Sequence, residues 1–266
     1  MDLIDIGVNF HSSQLKGLSA ELLARAAAAG VRRVLATGTA LGASQSALAC
    51  AQAHPGVWAT AGVHPHSASE YTVATGERLA QMWAEPRVVA VGECGLDYNR
   101  MYSSRHDQRE AFEAHVRAGV KFDKPLFLHC RDAFDDFHAM LREAAQAGAH
   151  GVVHCFTGNA AEAEAYLDLG FDLGITGWVT DLVRGAELRD ALRVVPLGRL
   201  HLETDAPYLR PKNAGKTRPY NEPALLPCVA CAVAELKGVD VATLAAHATA
   251  NSVRLFRLPA LAPAAL

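Results

Sequence analysis

The stretch PLFLHCRDAFDDFHAMLREAAQAGAHGVVHCF, residues 125–156, decides the fold. It begins with the short apolar run PLFLHC (125–130) and ends with another, GVVHCF (151–156). Both runs are close to continuous rather than alternating, as expected of parallel strands covered on both faces. Between them DAFDDFHAMLREAAQAG (132–148) has helical composition, with Asp132 as the expected N-cap and Gly148 as the expected C-cap. The same alternation continues in both directions. Strands are expected at 3–10, 33–39, 57–64 and 88–97 before it, and at 172–177 and 200–207 after it, with further helices over 19–30 and 106–119. Eight strands with helices between them predict an α/β fold, a (β/α)8 TIM barrel of the metal-dependent hydrolase type, as one domain over 1–266. An open doubly wound sheet is the alternative, but no G-x-G-x-x-G follows the first strand. The Pro- and Lys/Arg-rich loop RPKNAGKTRPYNEP (210–223) is long enough to be functional, and two or three closing helices are expected from about 224.

The chain has 266 residues, half of them apolar and 20% charged, with a formal net charge of −3. This is ordinary globular composition with no basic excess to suggest non-specific nucleic-acid binding, although a small site needs only a few local cations to hold phosphates. No unbroken apolar run reaches membrane-spanning length, and MDLIDIGVNF does not read as a secretory signal, so the expected compartment is the cytoplasm. The six cysteines are too few and scattered for a disulfide scaffold. Cys50, Cys94, Cys130 and Cys155 read as reduced core thiols, and the lone C-x-x-C of Cys228 and Cys231 lacks the second pair a zinc site needs. Nothing in the exposed pattern demands a protein partner, so a monomer is expected.

Active sites of such barrels gather at the C-terminal ends of the strands. Polar groups recur there: His64 after strand 3, Glu93 and Asp97 on strand 4, His129 and Arg131 on strand 5, His154 on strand 6 and Asp205 after strand 8. One such histidine is usually structural. His64, Glu93, His129, His154 and Asp205, arriving at one end from five strands, instead predict a bound divalent metal, which could activate water and polarise a phosphoryl or carbonyl oxygen.

These motifs carry a family resemblance that runs essentially end to end. DIGVNF with SSQ at 12–14, TAGVHPH (60–66), VVAVGECGLDYNR (88–100), HCRDAF (129–134), HCFTG (154–158), GITGWV (174–179), ETDAPYL (203–209) and RPYNEP (218–223) resemble the TatD family of metal-dependent deoxyribonucleases, most of all its bacterial members. The resemblance implies a nuclease acting on single-stranded DNA or RNA from the 3′ end, with a role in DNA repair or nucleic-acid turnover. It implies Glu93, His129 and His154 as metal ligands, Asp205 as a ligand or general base, and His64 as a residue facing the substrate phosphate. Arg131 is then a candidate phosphate contact, or else an ion-pair partner of Asp132 or Asp135. Tyr98, Phe156, Trp178 and Tyr208 are candidate walls for unstacked bases, with Tyr98 and Arg131 placed in the substrate-binding set.

One motif departs from the wider family, whose first strand carries H-x-H. Here the positions are Gly7 and Asn9, a departure shared with the bacterial members. That predicts one firm metal site and one weaker, oxygen-rich one, with Mg²⁺ the expected ion and Mn²⁺ or Zn²⁺ the alternatives. His11 shares the strand face of residues 7 and 9 but reads as a surface histidine past the strand end. The runner-up function is another metal hydrolase on the same barrel, an amidohydrolase or aminoacyl-tRNA deacylase. Glu93 standing where many amidohydrolases carry a carboxylated lysine speaks against it. A non-catalytic protein that has lost a metal is the other alternative.

Overall fold

A computed structural model describes residues 2–215 and 218–259. Eight parallel strands pair in sequence order: β1 (Leu3–Val8), β2 (Val31–Ala36), β3 (Val57–Ala61), β4 (Val88–Asp97), β5 (Leu126–Arg131), β6 (Gly151–Val153), β7 (Asp172–Ile175) and β8 (Leu200–Leu202). Helices α1 (Ser19–Ala28), α2 (Leu41–Ala53), α3 (Val73–Trp83), α4 (Arg105–Phe122), α5 (Phe134–Gln146), α6 (Ala160–Asp168) and α7 (Ala186–Ala191) lie between consecutive strands. Two helices, α8 (Leu226–Lys237) and α9 (Val241–Phe256), follow β8.

The strands read as continuous apolar runs because both faces are buried. Leu126 and Leu128 face the helical layer, while Phe127 joins Ile4, Ile6, Leu35, Trp58, Ala90 and Val152 inside the barrel. Leu255, Phe256 and Leu258, at and just beyond the end of α9, complete this inner cluster. With the interior filled by side chains, the site is confined to the strand-end mouth.

β1 meets the segment just after β8 through an isolated bridge between Val8 and Ala206, supported by Asp205 N–H to Gly7 O (2.9 Å) and Asn9 N–H to Ala206 O (2.8 Å). The buried Asp5 carboxyl reinforces this seam, lying 2.9 Å from Thr204 N and 2.6 Å from Thr204 Oγ1.

Several local expectations are corrected. Ala133, not Asp132, caps α5, because Asp132 adopts a left-handed φ of 51° and its carboxylate accepts from Asn99 Nδ2 at 2.7 Å. The C-cap is Ala147, and Gly148 stands one residue beyond it at φ 90°. β6 and β8 stop at Val153 and Leu202, short of the expected ends, and the chain then turns through Cys155 (φ 47°) and Asp205 (φ 53°). Of the four expected core thiols only Cys94 is fully buried, the others being partly exposed.

Candidate active site

His129 lies two residues beyond Phe127, and His154 two beyond Val152. The strand period of two therefore turns both rings inward over the inner cluster. Phe127 stacks under His154 at 4.4 Å between ring centroids. Both rings converge on one oxygen of buried Glu93, with His154 Nε2 at 2.9 Å and His129 Nδ1 at 3.2 Å from Oε1. His64 Nε2 reaches the same oxygen at 3.2 Å.

The outer nitrogens of the two rings are also held by carboxylates. His129 Nε2 lies 3.2 Å from Asp97 Oδ2, and His154 Nδ1 lies 3.2 Å from Glu203 Oε2. Asp97 in turn takes His66 Nε2 at 2.9 Å and the backbone N–H groups of Asn99 and Arg100. A carboxylate behind a histidine keeps the proton on the outer nitrogen and aims the inner lone pair at the centre.

The charges follow the partners. Burial alone would raise Glu93, but His154, His64 and His129 around it hold its carboxyl well below the usual range. Burial opposes charge on His154 too, yet Glu93 and Glu203 push that imidazole well above its ordinary value. Asp97 is lowered, its bonds to His129, Arg100 N–H and His66 outweighing burial. Asp205 behaves oppositely: burial pushes its carboxyl up to about 7, His154 pulls it down, and Glu93 and Glu203 push it up again. Its only side-chain hydrogen bond among the described residues is from Asn9 Nδ2 to Oδ1, at 2.8 Å.

His64, Glu93 and His129 offer donor atoms within 4.8 Å of one another, a group that leaves out His154 and Asp205. Hydrogen bonding separates His64 from the other imidazoles. Its Nδ1 accepts the backbone N–H of His66 at 3.0 Å, and burial lowers its pKa to about 4. A neutral imidazole with Nδ1 accepting carries its proton on Nε2, so His64 presents a donor rather than a lone pair. Glu93, His129 and His154 remain as the set that fits a divalent cation: one carboxylate and two imidazoles whose outer nitrogens are already held by carboxylates.

A cavity of about 830 Å³ opens over this cluster. Asn9, Arg100, Arg131, Trp178, Arg184 and Tyr208 are on its walls. Arg131 is exposed and makes no ion pair among the described residues, so the expected alternative of a bridge to Asp132 or Asp135 is not seen. Tyr98, expected to contact substrate, does not line the cavity; its hydroxyl donates to Asp136 at 2.7 Å and Arg105 covers its ring at 4.2 Å. Phe156 is buried as a wall. His11 is not a plain surface histidine, since it lines the cavity with Nε2 3.2 Å from Thr39 Oγ1. Two carboxylates join the site without an expected role there: Asp97, expected only as a strand-end group, and Glu203. The signal that could have found Glu203 is its place, two residues before Asp205 in ETDAP.

A family profile described as TatD related DNase matches residues 4–257. The 3′-5′ ssDNA/RNA exonuclease TatD of Klebsiella pneumoniae (strain 342) is 47% identical over 257 residues, covering 96% of this chain and 97% of the relative. The crystal structure of a TatD homologue from Escherichia coli K12 superimposes with a TM-score of 0.89 at 28% identity, over 97% of this chain and 98% of the other. A TatD-family hydrolase from Entamoeba histolytica superimposes with a TM-score of 0.85 at 25% identity, over 96% and 98%. With the strand-end motifs, the barrel and nearly the whole length in agreement, the chain belongs to the TatD-related DNase family.

Proposed function

We propose that this protein removes nucleotides from the 3′ end of single-stranded DNA and RNA by metal-assisted hydrolysis of the phosphodiester bond. The observation that carries the reading is the convergence of His129 Nδ1 and His154 Nε2 on one Glu93 oxygen, with the half-buried carboxyl of Asp205 on the same cavity. Relatives 42–47% identical over their whole length bear the name of that activity.

Glu93, His129 and His154 would hold the ion, with Mg²⁺ proposed and Mn²⁺ or Zn²⁺ as substitutes. Such an ion supplies Lewis acidity toward a phosphoryl oxygen and water. The remaining work falls to side chains. Asp205, with a carboxyl pKa near 7, is matched to taking a proton from the attacking water at neutral pH. Asn9 Nδ2 engages Oδ1 and leaves Oδ2 for that proton. His64 directs a neutral Nε2–H into the site, suited to hydrogen-bonding a phosphate oxygen as negative charge builds. Arg131 and Arg100 add positive charge along the wall.

At the mouth, Trp178 and Tyr208 offer ring faces for unstacked bases. Trp178 is braced by Nε1–H to Arg184 O (3.0 Å) and by the Arg184 guanidinium 4.6 Å from its ring. Tyr208 is 52% exposed and is anchored by its N–H to Asp205 O at 3.0 Å.

We propose that the protein acts as a monomer. No helix among the described residues is long and apolar enough to cross a membrane. We place the enzyme in the cytoplasm, in nucleic-acid turnover or repair.

The test is a gel assay with 5′-labelled single-stranded DNA and RNA, Mg²⁺, and a chelator control. Stepwise shortening that stops on chelation is expected. Intact oligonucleotides alongside hydrolysis of an aminoacyl-tRNA or amide substrate would replace this reading with the deacylase or amidohydrolase one.

A further inference from the structure

Glu203 is a fully buried carboxylate that the proposed reaction leaves unused. One of its oxygens accepts the backbone N–H of Cys155, and the other lies 3.2 Å from His154 Nδ1. The space it occupies exists because two neighbouring strands carry glycine there. A Cβ on Gly7 of β1 would stand 2.6 Å from Glu203 Oε2, and one on Gly174 of β7 would stand 2.5 Å from Oε1. The carboxylate thus fills volume that side chains on those strands would otherwise take.

We propose that Glu203, admitted by the missing side chain at Gly7, is the positioning residue that fixes the ring and tautomer of His154. The inference rests on reading His154 as a metal ligand. An ionised carboxylate only accepts hydrogen bonds. With one oxygen taken by Cys155 N–H, the other holds a proton on His154 Nδ1, so that Nε2, which faces Glu93, is the nitrogen that would give up its proton and offer a lone pair to an ion. Gly7 is therefore more than an absent histidine. The room it leaves on strand 1 is used by a strand-8 carboxylate that supports a strand-6 ligand.

Two substitutions separate this role from general damage. In E203Q the amide oxygen is claimed by Cys155 N–H, so the NH₂ group faces His154 Nδ1 and selects the wrong tautomer. In G7A the carboxylate remains in the chain but is displaced by a methyl group. Gly7 has no left-handed φ, so alanine fits its backbone.

The full-length protein and both variants are titrated with Mn²⁺ by calorimetry, and the His154 Nδ1–H resonance is followed by NMR in metal-free protein, with circular dichroism as the fold control. We expect a loss of metal affinity of about 10- to 100-fold in both variants. The Nδ1–H resonance should disappear in E203Q and shift in G7A. Wild-type affinity in E203Q, or a retained resonance, overturns the proposal. So does the loss of one bound ion with the affinity of another unchanged, which would make Glu203 a ligand. Should the wild type bind no ion, the metal reading falls, and the ring-proton measurement still decides whether Glu203 sets the tautomer.

Discussion

On the β4–β6 side of the mouth, Glu93 meets three imidazole nitrogens within 3.2 Å and stays ionised although it is buried. Across the cavity, on the β8–β1 side, Asp205 is half-buried and has one neutral side-chain partner, Asn9, and desolvation lifts its carboxyl to about 7. Two carboxylates at one end of one barrel are thus driven in opposite directions by what faces them. The first half is built to keep charge in place and suits a cation. The second is poised to exchange a proton, and suits a base. Divergence of this kind between neighbouring acids is how an acid–base assignment is read from structure.

The largest expected effect comes from breaking the first half. Replacing His129 with Ala or Glu93 with Gln should abolish tight divalent-metal binding and lower the rate of nucleotide release by roughly 10³-fold or more, since a bound metal contributes several kcal/mol to charge stabilisation. Calorimetry and a single-stranded DNA assay check this, and tight binding by both variants would remove the distinction between the halves. Next comes the second half. D205N should lower kcat by on the order of 10²-fold or more with a smaller change in KM, and metal affinity should stay close to wild type. A parallel collapse in metal affinity would move Asp205 into the first half.

Outside both halves, W178A and Y208A should each raise KM about 10- to 100-fold at nearly unchanged kcat, the loss expected for one stacked base. Steady-state kinetics on short oligonucleotides would show it.

The smallest effect concerns the seam that carries the second half. Burial pushes the Asp5 carboxyl from an ordinary 3.8 up to about 8, against the pull of hydrogen bonds from Thr204 and Gly7. The folded chain therefore keeps a proton that the unfolded chain releases. The stabilising contribution is complete below about pH 4 and is lost as pH rises towards 8, at up to about 1.4 kcal/mol per pH unit. In D5N the amide preserves the shape without the titration. The difference in melting temperature between D5N and wild type should therefore grow in favour of D5N from pH 5 to 8. A difference independent of pH would mean that Asp5 is ionised in the fold.

Much of this architecture was legible in the sequence. The eight apolar runs became eight strands because each is buried on both faces, but β1, β2, β3, β6, β7 and β8 end short of the expected bounds, β6 and β8 where Cys155 and Asp205 turn the chain into the site. Asp132 misled as a cap because Asn99, 33 residues away, engages its carboxylate. Tyr98 lies just beyond a strand end like the other site residues, yet Asp136 and Arg105 hold it away from the cavity.

By itself the sequence determined the barrel and the candidate ligands Glu93, His129 and His154. Apolar runs specify strands locally, and residues at strand ends arrive at one mouth whatever the details of packing. Only the tertiary structure decided which partners each group meets there. His64 became a donor through the backbone N–H of His66, and the Asp205 carboxyl was raised by desolvation with a single neutral side-chain partner. Glu203 came to support His154 across 49 residues of chain. Protonation and tautomer depend on which partners stand around a side chain, and those partners are brought together only when distant strands meet.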